Sequence, residues 1–176
     1  DVGCGSGVHA ALFAEYGFTV DAFDASQSAI EFAKSKYKGF SRINFVTSTT
    51  DDFVPVIQYD LVLDRLCTSQ TGLLSTKRFY DRLAQYLNTD GTVFWQGFCD
   101  TNSGKNYADF YDAENGYWDN FSGGEFEDLG CTTFFTPSDV ESVFEKYELI
   151  EFREISDKNQ KSGYLRNHWY VEARLR

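Results

Sequence analysis

Residues 8–16, VHAALFAEY, are mostly apolar and predict a helix directly behind glycines at 3, 5 and 7. FTVDAF (18–23) then reads as a short strand ending at Asp24. Ser26 has the character of an N-cap, and QSAIEFAKSKY (27–37) carries a helical period with Ile30, Phe32 and Ala33 turned partly inward. RINFV (42–46) is the next strand, TSTTDD a polar loop, and YDLVLDR (59–65) a central strand that ends in charge. TKRFYDRLAQYLN (76–88) predicts an amphipathic helix with Phe79, Leu83 and Leu87 on one face. The turn TDG precedes a further strand, TVFWQGF (92–98). Strand and helix thus alternate through this stretch, the pattern of an open, mostly parallel α/β sheet.

The texture changes between Cys99 and Phe135. Aromatics, acids and glycines mix there without a sustained period, over a length that predicts a cap, lid or insert rather than a plain connection. Regular order resumes at TPSDVESVFEKY (136–147), with Thr136 as cap, Pro137 in the first turn, and Val140, Val143 and Phe144 inward. ELIEFREI (148–155) and HWYVEARLR (168–176) are two further strands that could form an antiparallel hairpin. The expectation is a single domain over 1–176, carrying the insert at 99–135.

Composition narrows the partners. The 176 residues carry a formal charge of -11 and 42 % hydrophobic residues. That charge disfavours long nucleic-acid backbones, and the apolar fraction suffices for a sizeable core. No apolar run reaches transmembrane length and no leader is visible, so no membrane partner is expected. The four cysteines stand singly with no zinc spacing, and there are only two histidines. We therefore expect reduced thiols, a cytoplasmic protein and no metal centre.

The glycine turn, DVGCGSG, carries the chemistry. Glycines at this spacing permit close approach of a ligand, and the following helix presents unpaired N–H groups to it. Asp24, 17 residues after Gly7, is placed to accept from the two hydroxyls of a ribose. Asp1 would repel a pyrophosphate but attract an ammonium or position water. GSGVHA (5–10) also satisfies G-x-G-x-x-A, so a nicotinamide dinucleotide competes for the same turn.

DVGCGSG, the helix behind it, FTVDAFDAS and YDLVLDR together resemble class I S-adenosylmethionine-dependent methyltransferases. The resemblance implies a Rossmann-like, seven-stranded, mostly parallel sheet with an antiparallel last strand. It also implies that Asp1, Gly3, Gly5, Gly7, Asp24 and Ser26 surround S-adenosyl-L-methionine, and that Asn88–Gly91 forms the turn before the fifth strand. Residues before Asp1 are expected to be missing, leaving the domain N-terminally incomplete. The acidic residue that such proteins carry after strand three has no direct match. Thr49 stands there, so Thr49, Thr50 and Asp51 are the candidates for the adenine, with Asp52 as a substitute.

The acceptor side rests on fewer signals. Asp64 and Arg65 end the fourth strand of the expected sheet. Asp64 is a candidate base, whereas Arg65 either binds an acceptor carboxylate or pairs with Asp64. Cys67 has no neighbour that would lower its pKa, which argues against a nucleophile. Tyr107, Phe110, Tyr111, Tyr117, Trp118 and Phe121 either wall an acceptor pocket or form the cap's own core. Tyr111 and Trp118 are the candidates for contact. His168 is either a general base or a neutral residue at a strand start. The expected reaction is in-line methyl transfer to a small molecule, with oligomeric state open. A nicotinamide-dependent oxidoreductase and a non-catalytic methyltransferase-like binding module are the alternatives.

Overall fold

The computed structural model describes residues 1–176, which divide into two compact units, 1–54 and 55–176. In the first unit, α1 (Val8–Glu15) leads to β1 (Val20–Asp24), α2 (Gln27–Lys36) and β2 (Ile43–Thr47). β1 and β2 pair in parallel, from Val20 opposite Ile43 to Asp24 opposite Thr47. The residues ahead of the glycine turn also join β1. Val2 bridges Phe23 in parallel, and the Cys4 N–H donates to Phe23 O at 2.9 Å. Helix and strand then close on one core of Cys4, Ala10, Val20, Ala22, Ile30, Ala33 and Phe45.

α2 starts where the sequence predicts because Ser26 Oγ accepts the Ala29 N–H at 3.2 Å, satisfying one of the orphan amides of the first turn. Its inward stripe is narrower than expected. Ile30 and Ala33 are buried, but Phe32 is 55 % exposed. Phe32 sits two positions from Ile30, about 200° around the helix, and instead lies under the Lys36 ammonium.

The second unit is built on β3 (Tyr59–Arg65), α3 (Leu73–Leu83), β4 (Leu87–Cys99), β5 (Ala108–Asp112), β6 (Tyr117–Phe121), β7 (Phe134–Phe135), α4 (Pro137–Val143), β8 (Tyr147–Lys158) and β9 (Leu165–Leu175). Its main sheet runs β3-β4-β9-β8. β3 and β4 are parallel, and β9 is antiparallel to both of its neighbours. β7 adds two parallel pairs at the end of β4, opposite Phe98 and Cys99. β5 and β6 form a separate antiparallel hairpin inside the 99–135 segment. The architecture is a mixed-strand α/β fold. In place of one seven-stranded, mostly parallel sheet, the strands form a parallel pair in the first unit and, in the second, a five-stranded mixed sheet and a separate hairpin.

Bounds shift around α3 and β4. α3 begins at Leu73, three residues before the expected start, because Thr76 is an interior position: its hydroxyl lies 2.8 Å from Gly72 O and 3.0 Å from Thr68 O. The buried face of α3 is Thr76, Phe79, Tyr80 and Leu83, spaced i, i+3, i+4 and i+7. Leu87 is buried as expected but belongs to β4, which starts before the TDG segment and pairs Leu87 with Tyr59 across a register irregularity. Tyr80, Trp95, Phe135, Phe144 and Tyr147 are linked by ring contacts into one aromatic core, all with exposures near zero. Burying each such aromatic contributes about 2–3 kcal/mol.

Candidate functional site

The glycine turn is held by the strand next to it. Gly3, Gly5 and Gly7 have φ values of 64°, 51° and 76°, a left-handed series that side chains rarely adopt. The Gly7 N–H returns to Cys4 O at 2.9 Å, and the Gly5 N–H donates to Asp24 Oδ2 at 2.8 Å. Asp24 Oδ1 accepts the Ser26 N–H at 2.8 Å. One carboxylate at the end of β1 therefore ties the turn before α1 to the turn before α2. Each of its oxygens retains acceptor capacity beyond those amides.

The two inner glycines face different surroundings. A Cβ at Gly7 would lie 2.8 Å from two ring carbons of Phe45, so close packing of helix on strand requires its absence. A Cβ at Gly5 would meet no atom within 4 Å. Gly5 therefore borders open space beside an acidic acceptor and the first amides of a helix. That combination fits a sugar diol and the charged end of an amino-acid-bearing ligand. Cys4, beneath the turn, is buried, and its thiol is pushed up to about 11 mainly by burial, with the Asp24 charge adding to it.

After β2 the chain turns at Thr49. Its hydroxyl donates to Asp52 Oδ2 at 2.7 Å and accepts the Asp52 N–H at 3.1 Å. Thr49 and Asp52 are thus committed to each other, and Thr50 is buried. Asp51 is the exposed carboxylate of the three adenine candidates.

Asp64, in the second unit, differs from its expected role. It is completely buried, and four donors converge on it: Tyr80 OH at 2.9 Å, Thr68 Oγ1 at 2.6 Å, and the N–H groups of Cys67 and Thr68 at 3.0 and 3.4 Å. Thr68 Oγ1 in turn accepts Trp95 Nε1–H at 2.9 Å. Burial raises the carboxyl to about 6 although all four donors favour the charged form. Its geometry is that of a hub holding the turn after β3, with no face toward a substrate. The donors around it are neutral, which replaces the expected alternative of an Asp64–Arg65 pair as the means of satisfying it.

Arg65, one residue on, is exposed and ends β3. Leu66 follows with φ 67°, and its N–H donates to Gln96 O at 3.0 Å. His168, on β9 opposite Phe98, holds its ring tilted at 43° with centroids 5.3 Å from that phenyl. Burial lowers its pKa, the charges of Arg166 and Arg65 lower it further, and Glu125 opposes them. Arg65, His168, Glu125 and Arg166 thus share one electrostatic neighbourhood. Glu125 and Arg166 gave no sequence signal, since they meet only through the fold.

Tyr111 and Trp118 are cross-strand partners on the β5–β6 hairpin with ring centroids 4.6 Å apart. Lys105 Nζ lies 5.0 Å over the indole, and Trp118 packs against a core of Phe98, Phe121, Phe126 and Phe134. The segment therefore has its own core, and it includes Phe126, which periodicity does not single out. Tyr107, Phe110 and Tyr111 remain exposed.

The fold and the glycine–carboxylate turn define the class I, S-adenosylmethionine-dependent methyltransferase pattern. The chain belongs to that family: the family model described as a methyltransferase domain matches residues 1–91, just over half of its length. A curated relative, the ubiquinone biosynthesis O-methyltransferase of Rickettsia akari (strain Hartford), is 34% identical over 92 residues; the match spans 52% of this chain and 36% of the relative. Among solved structures, a SAM-dependent methyltransferase from Methanosarcina mazei has a TM-score of 0.77 at 16% identity, covering 99% of this chain and 90% of its own. The 1,6-didemethyltoxoflavin-N1-methyltransferase of Burkholderia thailandensis, with 1,6-didemethyltoxoflavin and S-adenosylhomocysteine bound, has a TM-score of 0.73 at 17% identity, covering 99% and 69%. The chain thus spans about a third of the curated relative, and the structural likenesses are likenesses of fold. Family membership favours S-adenosylmethionine as the cofactor over the nicotinamide reading of GSGVHA.

Proposed function

We propose that this chain forms the core of an S-adenosylmethionine-dependent methyltransferase acting on a small-molecule acceptor. The observation that carries the reading is the Asp24 carboxylate, which binds the Gly5 and Ser26 amides at 2.8 Å each while Gly5 borders open space. The names of the Rickettsia relative and the Burkholderia neighbour support a small-molecule acceptor.

When bound, S-adenosylmethionine supplies a methyl group on a sulfonium, an electrophile that needs no metal or covalent residue from the protein. Asp24 accepts from the ribose hydroxyls, and Ser26 fixes the start of α2 beside it. Gly3, Gly5 and Gly7 keep the backbone close to the amino-acid part, with Asp1 beside its ammonium. Thr49, Thr50 and Asp51 edge the base, Asp51 being the exposed carboxylate. Arg65, Tyr111 and Trp118 contact the acceptor. His168, held neutral by burial, takes the proton from an oxygen or nitrogen acceptor. Asp64 acts through the turn it anchors. A non-catalytic binding module is the second reading, supported by the satisfied, buried state of Asp64.

The test is production of S-adenosylhomocysteine over a panel of small hydroxyl, amine and thiol acceptors, with calorimetric titration of S-adenosylhomocysteine alongside. Turnover that disappears in Asp24→Ala is the expected result. Binding without turnover on any acceptor selects the binding module, and absence of binding overturns both readings.

A further inference from the structure

The second unit contains an open cavity of about 520 Å³, walled by Glu125 on one side and by Asp157, Asn159, Ser162, Tyr164 and Arg166 of the β8–β9 hairpin on the other. Its volume is within the range of small-molecule pockets. The charges in it are already partly committed. Glu125 Oε2 pairs with Arg166 Nε at 2.9 Å, and Glu125 Oε1 accepts from Tyr164 OH at 3.2 Å. Asn159 Oδ1 accepts the N–H groups of Lys161 and Ser162 at 3.0 and 3.1 Å, which sets the hairpin turn. Asp157 stands opposite Arg166 across the strand pair. The guanidinium's Nε is taken by Glu125, and no hydrogen bond or ion pair within the chain engages the Asp157 carboxylate.

The wall therefore carries two carboxylates against one guanidinium. An anion entering it meets a guanidinium whose charge Glu125 already offsets, and it faces Asp157 across the strand pair. A protonated amine meets the opposite situation: an uncommitted carboxylate, further polar acceptors, and the phenol ring of Tyr164 as an apolar side. The chain's overall charge of -11 favours its approach as well.

We propose that this cavity binds a small protonated amine, with Asp157 accepting from the ammonium. Placing that amine on the methyl acceptor rests on the methyltransferase reading; the cavity's preference for a cation does not.

The probe is 1,4-diaminobutane, with succinate as its anionic counterpart, titrated into the full ¹⁵N-labelled chain. Shifts of the Gly124, Ser162 and Tyr164 amides with the diamine are expected. Asp157→Asn weakens the diamine about tenfold, the scale of a lost hydrogen bond to a charged group, with the remaining spectrum unchanged as proof of folding. The proposal is overturned if the diamine leaves those amides unmoved, if succinate moves them at equal or higher affinity, or if Asp157→Asn binds as the parent does. S-Adenosylhomocysteine is titrated in the same experiment and read at Gly5 and Gly7. Silence there, with the diamine shifts retained, removes the methyltransferase reading and leaves the amine site standing.

Discussion

The Gly5 amide and the Asp24 carboxylate are 19 residues apart in sequence and 2.8 Å apart in the structure. The carboxylate proposed to receive the ribose also fixes the glycine turn beside it. Asp24→Asn keeps the size but can accept fully at only one of its two terminal atoms, so either Gly5 or Ser26 loses its acceptor. S-Adenosylhomocysteine affinity is expected to fall by about ten- to a hundredfold. Calorimetric titration of both proteins measures it.

Gly5 and Gly7 separate ligand binding from stability. Gly7→Ala adds a left-handed alanine and drives its Cβ to 2.8 Å from the Phe45 ring. A loss of about 3 kcal/mol is expected from strain and overpacking together. Gly5→Ala pays only the backbone term, about 1 kcal/mol, because its Cβ enters empty space. In the proposed site that same Cβ would enter the space assigned to the ligand. Urea unfolding and S-adenosylhomocysteine titration should therefore rank the two variants in opposite orders.

Asp64 makes stability depend on pH in a direction unusual for a carboxylate. Its folded pKa is about 6, above that of an ordinary aspartate near 3.9 in the unfolded chain. Between these values the folded state binds more protons than the unfolded one. Its contribution to stability is therefore highest below pH 4 and declines as pH rises through about 6, by about 3 kcal/mol in total. Asp64→Asn cannot titrate, so the difference in unfolding free energy between parent and variant should change across that window and level off above it. A difference that does not vary with pH would refute the buried-hub description.

His168 titrates on the other side of its ordinary value. Burial and the Arg166 and Arg65 charges favour the neutral ring, so its NMR titration midpoint should lie below that of an exposed imidazole. If it takes the acceptor's proton, the acidic limb of the rate profile follows that midpoint. His168→Asn should then remove the limb and lower kcat about a hundredfold with KM little changed. An unaltered limb in the variant would assign the proton to solvent.

Local signals were readable where one turn of chain decides the outcome. Ser26 and Thr136 cap the helices that follow them, and Thr136 completes a capping box with Asp139. Both follow from short polar side chains placed before an apolar period. The glycine turn and Asp24 were legible for the same reason, since spacing alone brings them to one sheet edge. Asp64 was not. Its charge at a strand end suggests exposure, and its burial depends on Tyr80, 16 residues on, and on Trp95 bonded to Thr68. The start of α3 was hidden for a similar reason, since Thr76 is a polar residue turned inward by the carbonyls of Thr68 and Gly72. The Glu125–Arg166 pair spans 41 positions and has no period to reveal it.

The place of β9 between β4 and β8 bears on the order in which the second unit can assemble. Neither neighbour pairs with the other, so residues 165–175 hold the two halves of this sheet together. During synthesis β4 has left the ribosome some 70 residues before its partner, and its exposed edge must wait. Closing so distant a pairing slows folding and leaves an unpaired edge open to other chains. The β8–β9 hairpin, by contrast, closes over a short turn as soon as it emerges. The sheet is thus expected to form from a preassembled hairpin docking onto β4 through Trp95 and Val171, in a single late step.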